Sequence, residues 1–329
     1  RPAPVAAVSI GALALLCTGI LATPLGLSQT EQFRVQAESV DGYSTLAEHF
    51  PSGLTDPTVV IASAPRAGAV QRAISDTPGV VSVTPTGSAS NGLQQFSVVL
   101  DAPPASDEAF DTVDALRDSV HDADPSALVG GSDAKARDAA AAARHDRAVV
   151  IPAILAVVLA VLYVLLRAAL APLVLVAATV LSALAALGLG GWASVHVFDF
   201  PALDNTAPLF AFLFLVALGV DYTIFLVTRA KEETPEHGTT AGIVRAVSAT
   251  GAVITSAGIV LAAVFCVLGV LPLIVLTQVG IIVGLGILLD TFVVRTVVIP
   301  ALFTLIGPRI WLPAAVGARP RHRKAGSVV

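Results

Sequence analysis

The sequence predicts an α-helical polytopic membrane protein of six transmembrane helices, with an α+β domain set between the first and second. Three observations predict it. Hydrophobic residues make up 55% of the 329 residues and charged residues only 13%, about half the roughly 25% charged content of a soluble domain. The apolar residues gather in long blocks of about the 20 residues a helix needs to cross a bilayer. A single long polar stretch, residues 28–148, separates the first block from the rest.

Six blocks qualify as spans: Pro4–Leu25, Val149–Leu166, Leu170–Trp192, Pro208–Val227, Val247–Val270 and Leu276–Leu305. The first is not read as a cleavable signal, because five of the same kind follow it. Only a few residues around Arg167 join spans two and three, so these form a hairpin. Cys17 and Cys266 lie inside apolar blocks and read as small buried hydrophobes, not as a disulfide or metal pair. The chain begins with Arg and has no Met, as expected of a processed product or a part of a longer polypeptide. The expected divisions are 1–27 (first helix), 28–148 (outer domain), 149–306 (five-helix bundle) and 307–329 (basic tail).

Orientation follows from Lys and Arg near the span ends. Arg1, Arg167, Arg229, Lys231, Arg245, Arg309, Arg319, Arg321, Arg323 and Lys324 fall on one side, and the opposite short connections, 193–207 and 271–275, contain neither residue. Both termini are therefore expected in the cytoplasm and residues 28–148 outside it. That outer segment holds seventeen acidic and eight basic residues, a balance of −9. The charge suits a solvated surface better than a cation site.

Within the outer segment the hydrophobic period alternates between strand and helix. Val40–Phe50 reads as a helix, Thr58–Ser63 as a strand, Ala67–Asp76 as a helix and Val80–Thr84 as a strand. Leu93–Asp101 is the third strand, Asp107–Asp122 an amphipathic helix opened by acidic residues, and Ala127–Gly130 a short strand. The order βαββαβ is that of a split βαβ, ferredoxin-like unit. The Ala-rich run Asp133–Arg147 is expected to continue as helix into span two.

Ionisable residues at membrane depth are the informative minority, since an Asp at a helix centre costs about 2.5–3.5 kcal/mol on insertion scales. Asp221 lies in LFLVALGVDYTIFLV beside Tyr222. A carboxyl in that setting can exchange a proton under physiological conditions, and the phenol can hydrogen-bond either form; the alternative is a structural Asp satisfied by a neighbour. Asp290, in GLGILLDTFVVRT, divides between helix packing and a second titrating group. Arg295, five residues on, is expected on a different side of the helix and so not paired with it, and reads as an anchor that snorkels to the interface. Thr255 and Ser256 could offer hydroxyls to a neighbouring carboxylate, although bonding back to their own helix is their default. Gly251, Gly258, Gly280, Gly284 and Gly286 suit close helix approach.

Several chemistries are excluded. The three lysines, Lys135, Lys231 and Lys324, stand in no G-x-x-x-x-G-K-[ST] loop, so no ATP site is expected. None of the six His falls within a span, which disfavours intramembrane Ser–His hydrolysis or a His metal cluster. Asp221 and Asp290 could by count serve an aspartyl protease. No cofactor and no nucleic acid are implied.

Gly219–Glu233, GVDYTIFLVTRAKEE, resembles the Asp–Tyr signature of the MMPL transporters, bacterial members of the resistance–nodulation–division (RND) superfamily. FPSGLTDP (50–57), LLRAALAPL (165–173), ATGAVITSAG (249–258) and ILLDTFVVRTVVIPAL (287–302) resemble the same family. The resemblance implies twelve spans in two six-helix repeats, each with a ferredoxin-like porter domain after its first helix; this chain is similar to the C-terminal repeat. It implies that Asp221 and Tyr222 relay protons across the repeat interface, with Asp290, at the acidic position of the family's last helix, as a secondary member. Thr255 and Ser256 stay as hydroxyls that could reach a neighbouring carboxylate, on the reading of the residues alone. One Asp–Tyr pair is present, so the other repeat must come from the same gene, a separate chain or a second copy. The implied function is half of a proton-driven, non-enzymatic exporter of hydrophobic or amphipathic substrates (lipids, lipid-linked metabolites or drugs) in the bacterial cell membrane. The alternative is a membrane-assembly, export-accessory or lipid-sensing subunit of the same superfamily.

Overall fold

The computed structural model describes residues 2–27, 30–35, 37–49, 57–89 and 91–313. Arg1, most of the FPSGLTDP stretch and the basic tail from residue 314 lie outside the described residues. The chain divides into two compact units, residues 26–145 and residues 1–25 with 146–329.

With α1 (Pro2–Cys17) in the larger unit, the smaller unit opens with a 3₁₀ turn at Thr30–Gln32 and helix α2 (Glu38–His49). Then follow β1 (Thr58–Ser63), α3 (Ala67–Asp76), β2 (Val80–Ala89), β3 (Leu93–Leu100), α4 (Asp107–Ala123) and β4 (Leu128–Gly130). The strands form one antiparallel sheet in the order β2-β3-β1-β4, which is the split βαβ connectivity. Strand β2 runs five residues beyond its expected end at Thr84, because it pairs with β3 as far as Ala89↔Leu93. Alternation places Thr58, Val60 and Ala62 of β1 inside, where Val60 and Ala62 join Phe96, Val98, Val70, Ile74, Val113, Leu116 and Val120 in one core. Ser106 caps α4 by accepting from the Ala109 N–H at 3.1 Å, and Asp107 and Glu108 follow in the first turn, where carboxylates oppose the helix dipole. Gly131, at φ 105°, has the Thr58 backbone 3.0 Å from where a Cβ would sit.

In the larger unit α1 spans Pro2–Cys17 and tightens to 3₁₀ geometry over Thr18–Ala22. Helix α5 (Ser132–Leu166) carries the Ala-rich run and the second apolar block without a break and passes through the division between the units. Arg167, at φ 48°, turns the chain into α6 (Leu170–His196). Small residues dominate the buried face of α6, among them Ala178, Ala183, Ala186, Gly188, Gly190 and Gly191. A Cβ on Gly190 would stand 2.7 Å from Ile282, so neighbouring helices approach at backbone distance, the packing small residues permit in membranes.

Five helical runs are long and apolar enough to cross a membrane. One of them is too long for a single crossing. Helix α7 (Ala207–Val267) contains non-helical backbone at Gly238, φ 79° and ψ 165°. Residues twelve apart on a straight helix stand about 18 Å apart, yet Arg245 Nε donates to Glu233 Oε2 at 3.0 Å. The chain therefore turns back at Gly238, and the blocks expected at 208–227 and 247–270 occupy its two arms. After α7 come α8 (Ile274–Leu289), a π-helical segment (Asp290–Val298) and α9 (Ile299–Ile306). Gln278, fully buried, ties the 197–206 connection to α8: its Nε2 donates to the Ala202 carbonyl at 2.7 Å and its Oε1 accepts from the Asp204 N–H at 2.9 Å.

Candidate functional site

Asp221 and Tyr222 sit in the middle of the first arm of α7. Phe210, Phe214, Ala217, Asp221 and Phe225 are all exposed and recur at helical spacing along one stripe. A carboxyl group thus stands open amid an otherwise apolar face. Tyr222, one residue on and about 100° around the axis, is half-buried and turns toward α8 and the π-helical segment.

Beneath Tyr222 lies a second charged group. Asp290 and Arg295 are both buried, 6% and 4% exposed, and they form an ion pair through Asp290 Oδ2 and Arg295 Nη2. This corrects the expectation that five residues of separation set them on different sides. That expectation assumed α geometry; over Asp290–Val298 the backbone is π-helical, with an i→i+5 repeat that stacks residues five apart. Thr296 follows the same register, its Oγ1 donating to the Thr291 carbonyl at 2.8 Å. Arg295 is therefore no snorkelling anchor. Its Nη2 also donates to the carbonyls of Gly219 at 3.1 Å and Leu218 at 3.3 Å, and its guanidinium carbon lies 4.9 Å from the Tyr222 ring centroid, a cation–π contact.

A small cleft opens over this group, lined by Leu215, Leu218, Gly219, Tyr222, Gly258, Leu261, Ile287, Asp290, Thr291 and Arg295. Gly258 is required there: a Cβ would fall 2.5 Å from Thr291 Oγ1. Thr291 Oγ1 and Arg295 Nε have no hydrogen-bond partner among the described residues, so the cleft keeps polar valences to spare. Thr255 lines an adjoining pocket with Arg295, Thr250 and Thr296. Ser256 is exposed and donates back to the Val253 carbonyl at 3.0 Å, away from this group. Asp221 is open and Asp290 is buried against Arg295, so the two do not form a shared carboxyl dyad.

The rest of the signature has structural work to do. Lys231 Nζ donates to the Leu166 carbonyl at 2.6 Å, closing the free C-terminal end of α5. Glu233 takes Arg229 from its own arm and Arg245 from the other. Sequence reasoning missed Arg295 and Lys231. The five-residue step from Asp290 to Arg295 was the available signal, but it pairs residues only in a register that composition does not announce. Among the described residues no three His, Cys, Asp or Glu converge as a metal site would require.

A family model described as the MMPL family matches residues 33–328. The membrane protein ActII-3 of Streptomyces coelicolor is 44% identical over 311 residues, covering 94% of this chain and 43% of that protein. The apo-petrobactin exporter of Bacillus anthracis is 33% identical over 302 residues, 88% of this chain and 40% of that protein. The sulfolipid-1 exporter MmpL8 of Mycobacterium tuberculosis is 36% identical over 234 residues, 67% of this chain and 21% of that protein. The chain spans less than half the length of each.

Proposed function

This chain belongs to the MMPL family of membrane transporters, and from that premise we propose that it acts as one six-helix half of a proton-driven exporter of hydrophobic or amphipathic molecules. The observation that carries the proposal is Asp221, an exposed carboxyl on an apolar helix face. A charged group in that position is costly against lipid and becomes tolerable when a second protein surface covers it. The second six-helix repeat that the family resemblance implies is the partner that fits, and relatives of more than twice this length have room for it. The six passes are Pro2–Ala22, the apolar part of α5, α6, the two arms of α7, and the run from Ile274 to Trp311.

In this reading Asp221 carries the proton and Tyr222 bonds it across the repeat interface. A proton moving inward through 100 mV releases about 2.3 kcal/mol, enough to bias a two-state helix packing. Neutralising Asp221 weakens its polar contacts, and the helices repack. Helix α5, which continues from the membrane block into residues 132–145, and α1 carry the movement to the outer domain, where substrate is bound and released. Among the relatives one is named an exporter of apo-petrobactin and another an exporter of sulfolipid-1, and the second supports a lipid-like substrate class.

The test uses membrane vesicles containing the full-length protein, an imposed proton gradient and a short-chain fluorescent lipid as probe. Asp221→Asn is expected to abolish gradient-driven movement of the probe, as a protonophore does. Undiminished movement in that variant would overturn the proposal.

A further inference from the structure

The helix bearing Asp290 leaves α geometry at the level of Asp221 and Tyr222. On an α-helix, residues five apart diverge by about 140° around the axis, and Arg295 would turn away from both Asp290 and Tyr222. The π-helical turn instead stacks Arg295 over Asp290 and delivers its guanidinium to the Leu218 and Gly219 carbonyls and the Tyr222 ring. Those carbonyls end the turn that precedes Asp221. Arg295 thus touches the backbone just before the proton-site residues and the side chain of one of them, while its charge is met by Asp290.

We propose that Arg295 is a positioning residue for the Asp221–Tyr222 proton site, and that Asp290 is its standing counter-ion and not a proton carrier. The inference rests on the reading of Asp221 as the proton group. The guanidinium fixes the plane of the Tyr222 ring and the backbone that aims Asp221 outward; the carboxylate of Asp290 keeps that guanidinium in place. A buried charge stripped of its partner is costly, whereas removing both partners together is far less so. The two roles for Asp290 therefore predict different double-variant behaviour. The titratable groups facing the guanidinium are Asp290 and Tyr222; Gly258, Leu261 and Ile287 from the surrounding elements carry none.

The experiment measures gradient-driven movement of the same fluorescent lipid by the full-length protein over a range of pH, normalised to the amount of each variant in the membrane. Arg295→Gln and Asp290→Asn are each expected to slow transport at least about tenfold, and the Asp290→Asn/Arg295→Gln pair to be no slower than Arg295→Gln alone, since Asp290 acts only through Arg295 and coupled buried partners are strongly non-additive. Arg295→Lys, which keeps the charge and loses the planar fork, is expected to fall between wild type and Arg295→Gln. In the Lys variant and the double variant the pH of half-maximal transport shifts, whereas a purely structural defect scales the rate alike at every pH. A double variant slower than Arg295→Gln by the full factor that Asp290→Asn costs alone, as an independent proton-carrying role would give, or Arg295→Gln with wild-type rate and pH profile, overturns the proposal. If Arg295→Gln fails to accumulate, the neutral pair and the Lys variant still decide it. Asp221→Asn in the same vesicles separates the two levels: wild-type transport there rejects the proton reading itself, whatever the Arg295 variants do.

Discussion

At the scale of single residues, charge in this chain is either openly solvated, closely bonded, or placed where a partner is needed. Asp124 is the bonded case outside the membrane. Its carboxylate accepts from Ser63 N at 2.9 Å and Ser63 Oγ at 2.6 Å, and from Ser126 N at 3.1 Å and Ser126 Oγ at 2.7 Å. The Ser63 hydroxyl leads these in holding the carboxyl well below the ordinary carboxylate range. A depressed folded pKa gives stability that is complete above the unfolded value, about 3.9, and is lost as pH falls toward the folded one. Asp124→Ala is therefore expected to make residues 57–130 more susceptible to proteolysis at neutral pH, with the difference from wild type shrinking below about pH 4. A difference that grows on acidification would contradict the assignment. Asp221 is the opposite case. Its type and depth were legible in the sequence, and the structure adds that it faces outward.

At the scale of elements, the βαββαβ order was legible because each strand and helix shows its period in a solvated segment with one buried face. Thr58–Ser63 and Ala67–Asp76 have the bounds that alternation and helical spacing set. Membrane helices lack that contrast, since both faces are apolar, and their internal irregularities are hidden for the same reason. The turn at Gly238 falls in the polar connection the sequence leaves between its fourth and fifth apolar blocks, whereas the π-helical segment lies inside a block that composition reads as one continuous span. Gly238 adopts φ 79° with open space where a Cβ would go, so the penalty for substitution is conformational and not steric. Gly238→Ala is expected to cost about 1–3 kcal/mol, measured as a lower midpoint of thermal unfolding for the full-length protein in detergent. An unchanged midpoint would show that the backbone there relaxes freely. The Arg245–Glu233 bond across that turn explains why the signature joins its Asp–Tyr step to charges more than a turn further along.

At the scale of the whole molecule, the proposed six passes place the Gly238 turn and residues 28–148 on opposite sides of the membrane. With Cys17 and Cys266 replaced by Ser, a cysteine at Asp101 is expected to react with a membrane-impermeant maleimide added to intact cells. One at Glu236 is expected to react only after the membrane is opened. Equal labelling of both in intact cells would refute the topology and, with it, the direction assigned to transport.

The sequence by itself determined that the chain is a membrane protein, where its apolar blocks lie, which residues form the four-stranded sheet, and that Asp221 and Tyr222 lie within an apolar block. Each of these follows from composition or local period, which the one-dimensional order of residues contains in full. The tertiary structure alone decided that Asp290 belongs to Arg295, that Arg295 reaches Tyr222 and the carbonyls before Asp221, and that Lys231 closes the end of a helix 65 residues earlier. Those contacts depend on backbone register and on helices meeting across the bundle, and neither leaves a mark on the pattern of apolar and polar residues.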